Sequence, residues 1–273
     1  MEDDLQQPDT EEPGITAYHG SPHDFERFDM SKIGTGEGAQ AYGHGLYFAE
    51  NEGVAKDYRD KLSVQADPRD AINDVIYQFK NLRVQKPSHE NVKTWMADTS
   101  ALKEHSNNEQ ITRRVHEVIN AKDDDEAFHS YRELDNLLPP PSKGHMYEVH
   151  INAHPDHFLD WDKPFHEQSE HVKRGLRSIP EFDDRVAKYG VLDPDYKSKI
   201  SMGEFINRGV LPHSYDKSGP EFSNAYHAAG IKGVKYLDQG SRWGDKKNPT
   251  RNYVVFDDKL VNVKRKYAQG GAA

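Results

Sequence analysis

The hydrophobic period of this chain changes along its length, and that limits the folds open to it. From Gly53 onward apolar residues recur every fourth position, at Val54, Tyr58 and Leu62, which is one face of a helix. Tyr58 is therefore expected to face whatever this helix packs on. Similar spacing continues through 68–138, with Ile72, Val75, Ile76 and Phe79, then Ile111, Val115, Val118 and Ile119, then Phe128, Tyr131, Leu134 and Leu138. "PPP" at 139–141 ends the pattern, because proline cannot continue a helix. Beyond it, in "MYEVHINA" (146–153), Tyr147, Val149 and Ile151 alternate with Glu148, His150 and Asn152, the period of a half-buried strand. Strand-like runs also come first: "ITAYHG" (15–20), stopped by Gly20 and Pro22, and "GLYFA" (45–49). A helical segment thus interrupts a chain of strands, and the expected class is α+β with a long helical insertion.

The expected organisation is an acidic disordered tail over 1–13, a core from 15–62 and 144–267, the insertion over 64–138, and a flexible end at 268–273. Within 162–217 the helix signals are too weak to place ends. "GPEFSNAYHAAG" (219–230) predicts a short helix with Ser218 as N-cap and Gly230 at C′. "IKGVKYLD" predicts a strand and 239–251 a loop. "NYVVFD" and "LVNVK", with Asp-Asp-Lys between Phe256 and Leu260, predict a hairpin.

Composition removes several function classes. The chain has 273 residues, 34% of them hydrophobic, enough for a real core. A mean hydropathy of -0.97 makes much of the rest solvated helix or loop. With no cysteine there is neither a disulfide framework nor a thiolate metal site. The first residues lack the pattern of a signal peptide, and no apolar run approaches the ~20 residues of a membrane span, so a cytoplasmic protein without membrane contact is expected. A net charge of -10 argues against a footprint for duplex nucleic acid, and the basic stretches 242–251 and 263–267 read as solvated surface. "HINAHPDH" clusters His150, His154 and His157 but lacks a metalloprotease spacing, and "GTGEG" (34–38) lacks the ending of a phosphate loop. No metal is expected.

Three separated segments carry the functional reading: "YHGS" (18–21), "GHGLYFA" with Tyr58 eleven residues after Tyr47, and "RNYVVFD" (251–257). In this order they resemble the nicotinamide-binding core of the poly(ADP-ribose) polymerase and diphtheria-toxin branch of the ADP-ribosyltransferases, marked by a His, a Tyr and a third polar residue. The wording of 18–50, with "YLDQGSR" and "RNYVVFDD", is similar to the ADP-ribosyltransferase-like domains of phage and mobile-element polyvalent proteins. The similarity spans 15–62, 146–170 and 219–264 and omits the insertion. The resemblance implies a split, mixed or antiparallel sheet with short helices, NAD as substrate, a macromolecular acceptor, expected to be a protein, and action in the bacterial host cytosol if the chain is phage-encoded.

It also implies site residues. His19, Tyr47 and Asn252 would be catalytic; His19, Gly20, Tyr47, Phe48, Ala55 and Tyr58 would hold NAD; Gln239, Arg242, Trp243 and Asp245 would meet the acceptor. Nicotinamide is a flat cation that two tyrosine faces can sandwich, at about 0.5–2 kcal/mol per good contact. Gly20 would expose backbone to the carboxamide, and His19 would bond a ribose hydroxyl. Two positions depart from the family: Asn252 stands where glutamate is usual, and Ala55 where a serine bonds the carboxamide. An amide brings no charge and cannot act as a base, so chain elongation is not expected, and Asp238 or Asp245 are candidates to supply the missing charge. Single transfer, slow NAD hydrolysis and binding without turnover are each compatible with these residues.

Overall fold

A computed structural model describes residues 14–33, 40–65, 67–81, 87–140, 143–192, 199–244 and 248–267. The tails expected at 1–13 and 268–273, and "GTGEG", lie outside the described residues. Two compact units emerge: one from residues up to Gly20 with Phe25–Lys56 and Met146–Tyr267, the other from Ser21–Asp24 and Asp57–His145.

In chain order the elements are β1 (Ile15–Ser21), β2 (Leu46–Ala49), α1 (Glu52–Gln65), α2 (Pro68–Asn81), α3 (His89–Asp98), α4 (Glu109–Asn120) and α5 (Asp124–Leu137). There follow β3 (His145–Ile151), β4 (Phe158–Asp160), α6 (Glu170–Ser178), α7 (Phe182–Ala187), α8 (Met202–Asn207) and α9 (Pro220–Ala228). β5 (Gly233–Leu237), α10 (Gln239–Trp243), β6 (Arg251–Val255) and β7 (Val261–Tyr267) complete them. The class is α+β, as the change of period predicted.

The first unit is built on one mixed sheet of order β4-β5-β6-β2-β1-β3-β7. β4 and β5 run parallel, while β5–β6, β6–β2, β2–β1 and β3–β7 are antiparallel. Strand alternation sorts its side chains into two cores. Tyr47, Val254, Val234, Leu159 and Tyr236 pack on one side with the short helices. Phe48, Tyr253, Val255, Ala17 and Val149 pack on the other. Each fully buried side chain of this kind contributes about 1.5–3 kcal/mol.

The predicted hairpin of "NYVVFD" and "LVNVK" does not form. β6 already has β5 on one edge and β2 on the other, so β7 has no free edge there and pairs instead with β3, through Met146↔Tyr267 to Ile151↔Val261. The segment 239–251 is not all loop: Asp238 caps a helical turn, α10. The N-cap of α9 is Gly219 rather than Ser218, with Pro220 at the first helical position, where its missing N–H costs nothing. Gly230, at φ +85°, takes the C′ position as predicted.

In the second unit α2 to α5 close around Ile72, Val92, Met96, Leu102, Ile111, Val115, Val118, Ile119 and Leu134. Side-chain oxygens of Ser88, Asn108 and Asp123 accept from the first free N–H groups of α3, α4 and α5. Two phase assignments shift by one residue. On α5 Ala127 is buried and Phe128 is exposed; on α1 the buried positions are Ala55, Arg59 and Ser63, leaving Tyr58 52% exposed. An arginine read as polar, hence outward, hides this face from a hydrophobicity count. Its Nε donates to Asp60 Oδ1 at 2.8 Å, which makes burial of the guanidinium tolerable.

Candidate functional site at the centre of the sheet

The three segments singled out in the sequence lie on adjacent strands, β1, β2 and β6. Register places Tyr47 opposite Val254 and Ala49 opposite both Asn252 and Tyr18. Tyr47, Ala49, Asn252 and Tyr18 therefore share one face. Two glycines make this arrangement reachable. A Cβ on Gly45 would lie 2.6 Å from Val254 Cγ1 and 2.7 Å from the Val255 carbonyl, so only glycine lets β2 approach β6 here. Gly43, at φ +123°, turns the chain so that its carbonyl accepts from the Tyr47 hydroxyl at 2.8 Å. The same oxygen of Tyr47 accepts from the Tyr42 N–H at 3.2 Å.

β1 and β2 pair at a single position, Tyr18↔Ala49. Beyond it the Tyr47 carbonyl takes its bond from a side chain: His19 Nδ1 donates to it at 2.8 Å. The imidazole packs with Phe28, Phe48, Phe25 and Tyr147, centroids 5.1 to 6.3 Å away. It thus lies on the core side that holds Phe48, not on the face of Tyr47 and Asn252. Burial pushes its pKa below the usual histidine value, the bond to Tyr47 offsetting part of the shift. The lowered pKa favours the neutral ring, in which donation from Nδ1 leaves Nε2 as the acceptor nitrogen. Gly20, next along β1, is buried.

Asn252 is 6% exposed, and its Oδ1 has no hydrogen-bond partner among the described residues. Beside it in register stands Tyr236, on which the Tyr42 ring stacks at 3.6 Å and 8°. Trp161 meets Tyr42 edge-on at 4.9 Å. These three aromatics were not found from sequence, although Tyr42 lies within 18–50, whose wording carries the resemblance; only the sheet brings Trp161 and Tyr236 to it.

The acceptor segment has a definite form. Asp238, 4% exposed, accepts from the Ser241 N–H at 2.7 Å, from Ser241 Oγ at 3.2 Å and from the Thr250 hydroxyl. Burial alone would raise its pKa, yet these bonds outweigh it and hold the carboxylate below its usual range. It is engaged in capping α10 and is not offered as the charge that Asn252 lacks. Gln239 is exposed at the start of α10. Arg242 donates to Asp162 Oδ1 at 2.7 Å, and Trp243 is 85% exposed. Asp245 lies outside the described residues.

Of the cofactor positions read from sequence, Phe48 stands apart from this face. It points into the opposite core because side chains alternate along β2. Ala55 is covered by Ala49 and Met146. Tyr58 belongs to the second unit and is open to solvent.

Residues 9–138 match the model of a family described as ADP-ribosyltransferase in polyvalent proteins. The match runs through the helical segment, which the resemblance in sequence left out, and stops before β3, so His19, Gly20, Tyr47, Phe48, Ala55 and Tyr58 lie inside it and Asn252 outside. No curated protein and no solved structure matches the chain. Among the described residues no helix is long and apolar enough to cross a membrane, and no group of three or more His, Asp or Glu could hold a metal ion.

Proposed function

We propose, on the premise that the chain belongs to the ADP-ribosyltransferase family of polyvalent proteins, that it transfers one ADP-ribose from NAD to a protein acceptor. The observation that carries this reading is the unpaired, buried Oδ1 of Asn252 on the face it shares with Tyr47. A buried acceptor without a donor costs about 1–3 kcal/mol, and a ribose hydroxyl would relieve that cost. Tyr47 would supply one aromatic wall for nicotinamide, with Tyr58 carried from the resemblance as a second stacking residue. Gly20 would meet the carboxamide through its backbone. His19, which holds the Tyr47 carbonyl, would present Nε2 to a sugar hydroxyl.

In the reaction the bond from ribose C1′ to the nicotinamide nitrogen breaks and its electron pair leaves with nicotinamide. C1′ gains positive charge before the acceptor attacks, and the acceptor then gives up its proton. Asn252 orients the sugar through a dipole and removes no proton, so the acceptor must already be a good nucleophile and the product stops at one unit. α10 and the exposed Trp243 would meet the acceptor. As a domain of a polyvalent protein, the chain would act as a phage or mobile-element effector inside the host cytosol.

A second reading, a module that binds NAD without turnover, is favoured by the position of His19, whose ring packs in the Phe48 core. Incubation with labelled NAD and a bacterial lysate separates the readings. Label on protein that needs Tyr47, Tyr58 and Asn252 is expected for transfer. Free ADP-ribose without labelled protein would mean an NAD glycohydrolase, and NAD binding with no nicotinamide release would replace the transferase with the binding module.

A further inference from the structure

A cavity of about 680 Å³ opens at the β4 edge of the sheet, and none of its lining residues belongs to β1, β2 or β6. Its charges are unevenly matched. Of the four carboxylates that line it, Asp160 pairs with Arg251 at 3.1 Å and Glu170 with Lys173 at 2.9 Å, while Asp156 and Glu167 stand beside the histidines His154 and His166. Three cations, Lys163, Arg174 and Lys235, line the same space, and none has a carboxylate within ion-pair distance among the described residues.

Lys235 is the most confined of them. On β5 it stands opposite Asp160, and its Nζ donates to the Pro155 carbonyl at 2.8 Å, leaving two further donors. Burial pushes its pKa below the usual lysine value, with Asp160 pulling the other way; a confined ammonium of this kind gains from an added negative partner. On the cavity wall His157 and His171 stack at 3.9 Å and 27°, a flat surface against which a planar ring can lie.

We infer that this cavity binds a phosphate ester of nucleoside-diphosphate size. The three cations come from separate elements: the turn after β4, helix α6 and strand β5. A diphosphate presents enough oxygens to meet all three, whereas a lone carboxylate presents two. The volume falls within the roughly 300–1,000 Å³ of small-ligand pockets, and the stacked histidines would take the base. The site is independent of the transferase reading, since it shares no residue with that face.

The test is calorimetric titration of the full chain with ADP and with inorganic pyrophosphate at about 0.15 M salt, where exposed charges are largely screened. Saturable one-to-one binding of ADP is expected, tighter than that of pyrophosphate. It should weaken by about tenfold or more in Lys235→Gln and in Arg174→Gln and persist in Tyr47→Ala. Arg174 is exposed, so its replacement leaves folding intact and keeps the test valid should Lys235→Gln fold poorly. No saturable binding at millimolar ADP would overturn the inference, as would binding that survives Arg174→Gln but is lost in Tyr47→Ala.

Discussion

Replacing Asp238 tests whether one carboxylate fastens α10 to β6. Alanine there removes the N-cap of α10, worth about 1 kcal/mol. It also strands the Thr250 hydroxyl and the Ser241 N–H, which both donate to Asp238, and bonds to a charged acceptor are worth roughly 1.5–3 kcal/mol each. These terms overlap, because Ser241 Oγ already accepts from the Thr250 N–H at 2.8 Å and can take part of the load. A net loss of about 2–4 kcal/mol follows. Asparagine in its place would keep the cap and lose only the charge, so Asp238→Asn should cost clearly less. Urea unfolding at pH 7 measures the loss, and the fluorescence of Trp243, the last residue of α10, should change at lower urea than the rest in Asp238→Ala. The folded carboxylate titrates below its unfolded value of about 3.9. Its contribution is therefore complete above that value and disappears as pH falls through the folded pKa. The gap between the parent and Asp238→Asn must shrink from pH 5 towards pH 3. A loss under about 0.5 kcal/mol in Asp238→Ala, or a gap that does not narrow in acid, refutes the reasoning.

Two further outcomes follow from the same strands. His19 is held neutral with its pKa lowered by burial, so its contribution is complete above the unfolded value of about 6.5 and falls, at up to about 1.4 kcal/mol per pH unit, as acid protonates the unfolded chain first. Thermal melts of the parent and of His19→Gln should diverge least in acid; parallel curves from pH 7 to 5 would contradict this. Gly45→Ala forces a methyl against Val254 and the Val255 carbonyl and should cost about 1–3 kcal/mol in denaturant midpoints, and a neutral result would mean that β2 and β6 can part.

The elements whose chemistry is local were legible in the sequence. Prolines 139–141, the alternation in 146–153 and the four-residue spacing of Ile111, Val115 and Val118 each report a backbone state through neighbours only. What failed depended on pairings that a hydrophobic pattern does not register. The hairpin of β6 and β7 had good local signals, but β6 was already taken on both edges, which no short window can reveal. The buried face of α1 was misplaced because Arg59 is buried through an ion pair with Asp60, and a periodicity count treats arginine as solvent-facing. α10 was read as loop because its start depends on Asp238 and Thr250 together. At the candidate site the motif strands were legible in order and became neighbours, whereas the core-side packing of His19 follows from the single register pair of β1 and β2.

The position of β6 has a kinetic consequence. β2 is made early, but the strand that flanks it at Leu46 to Ala49 arrives about two hundred residues later, after the whole helical unit. A ribosome that has delivered residue 138, the end of the family match, has made β2 with a neighbour that meets it at one residue. Loop closure over such a distance is slow, and unpaired edges invite association meanwhile. A chain cut at that boundary would hold two of the seven strands, so it should aggregate or remain unfolded where the full chain does not.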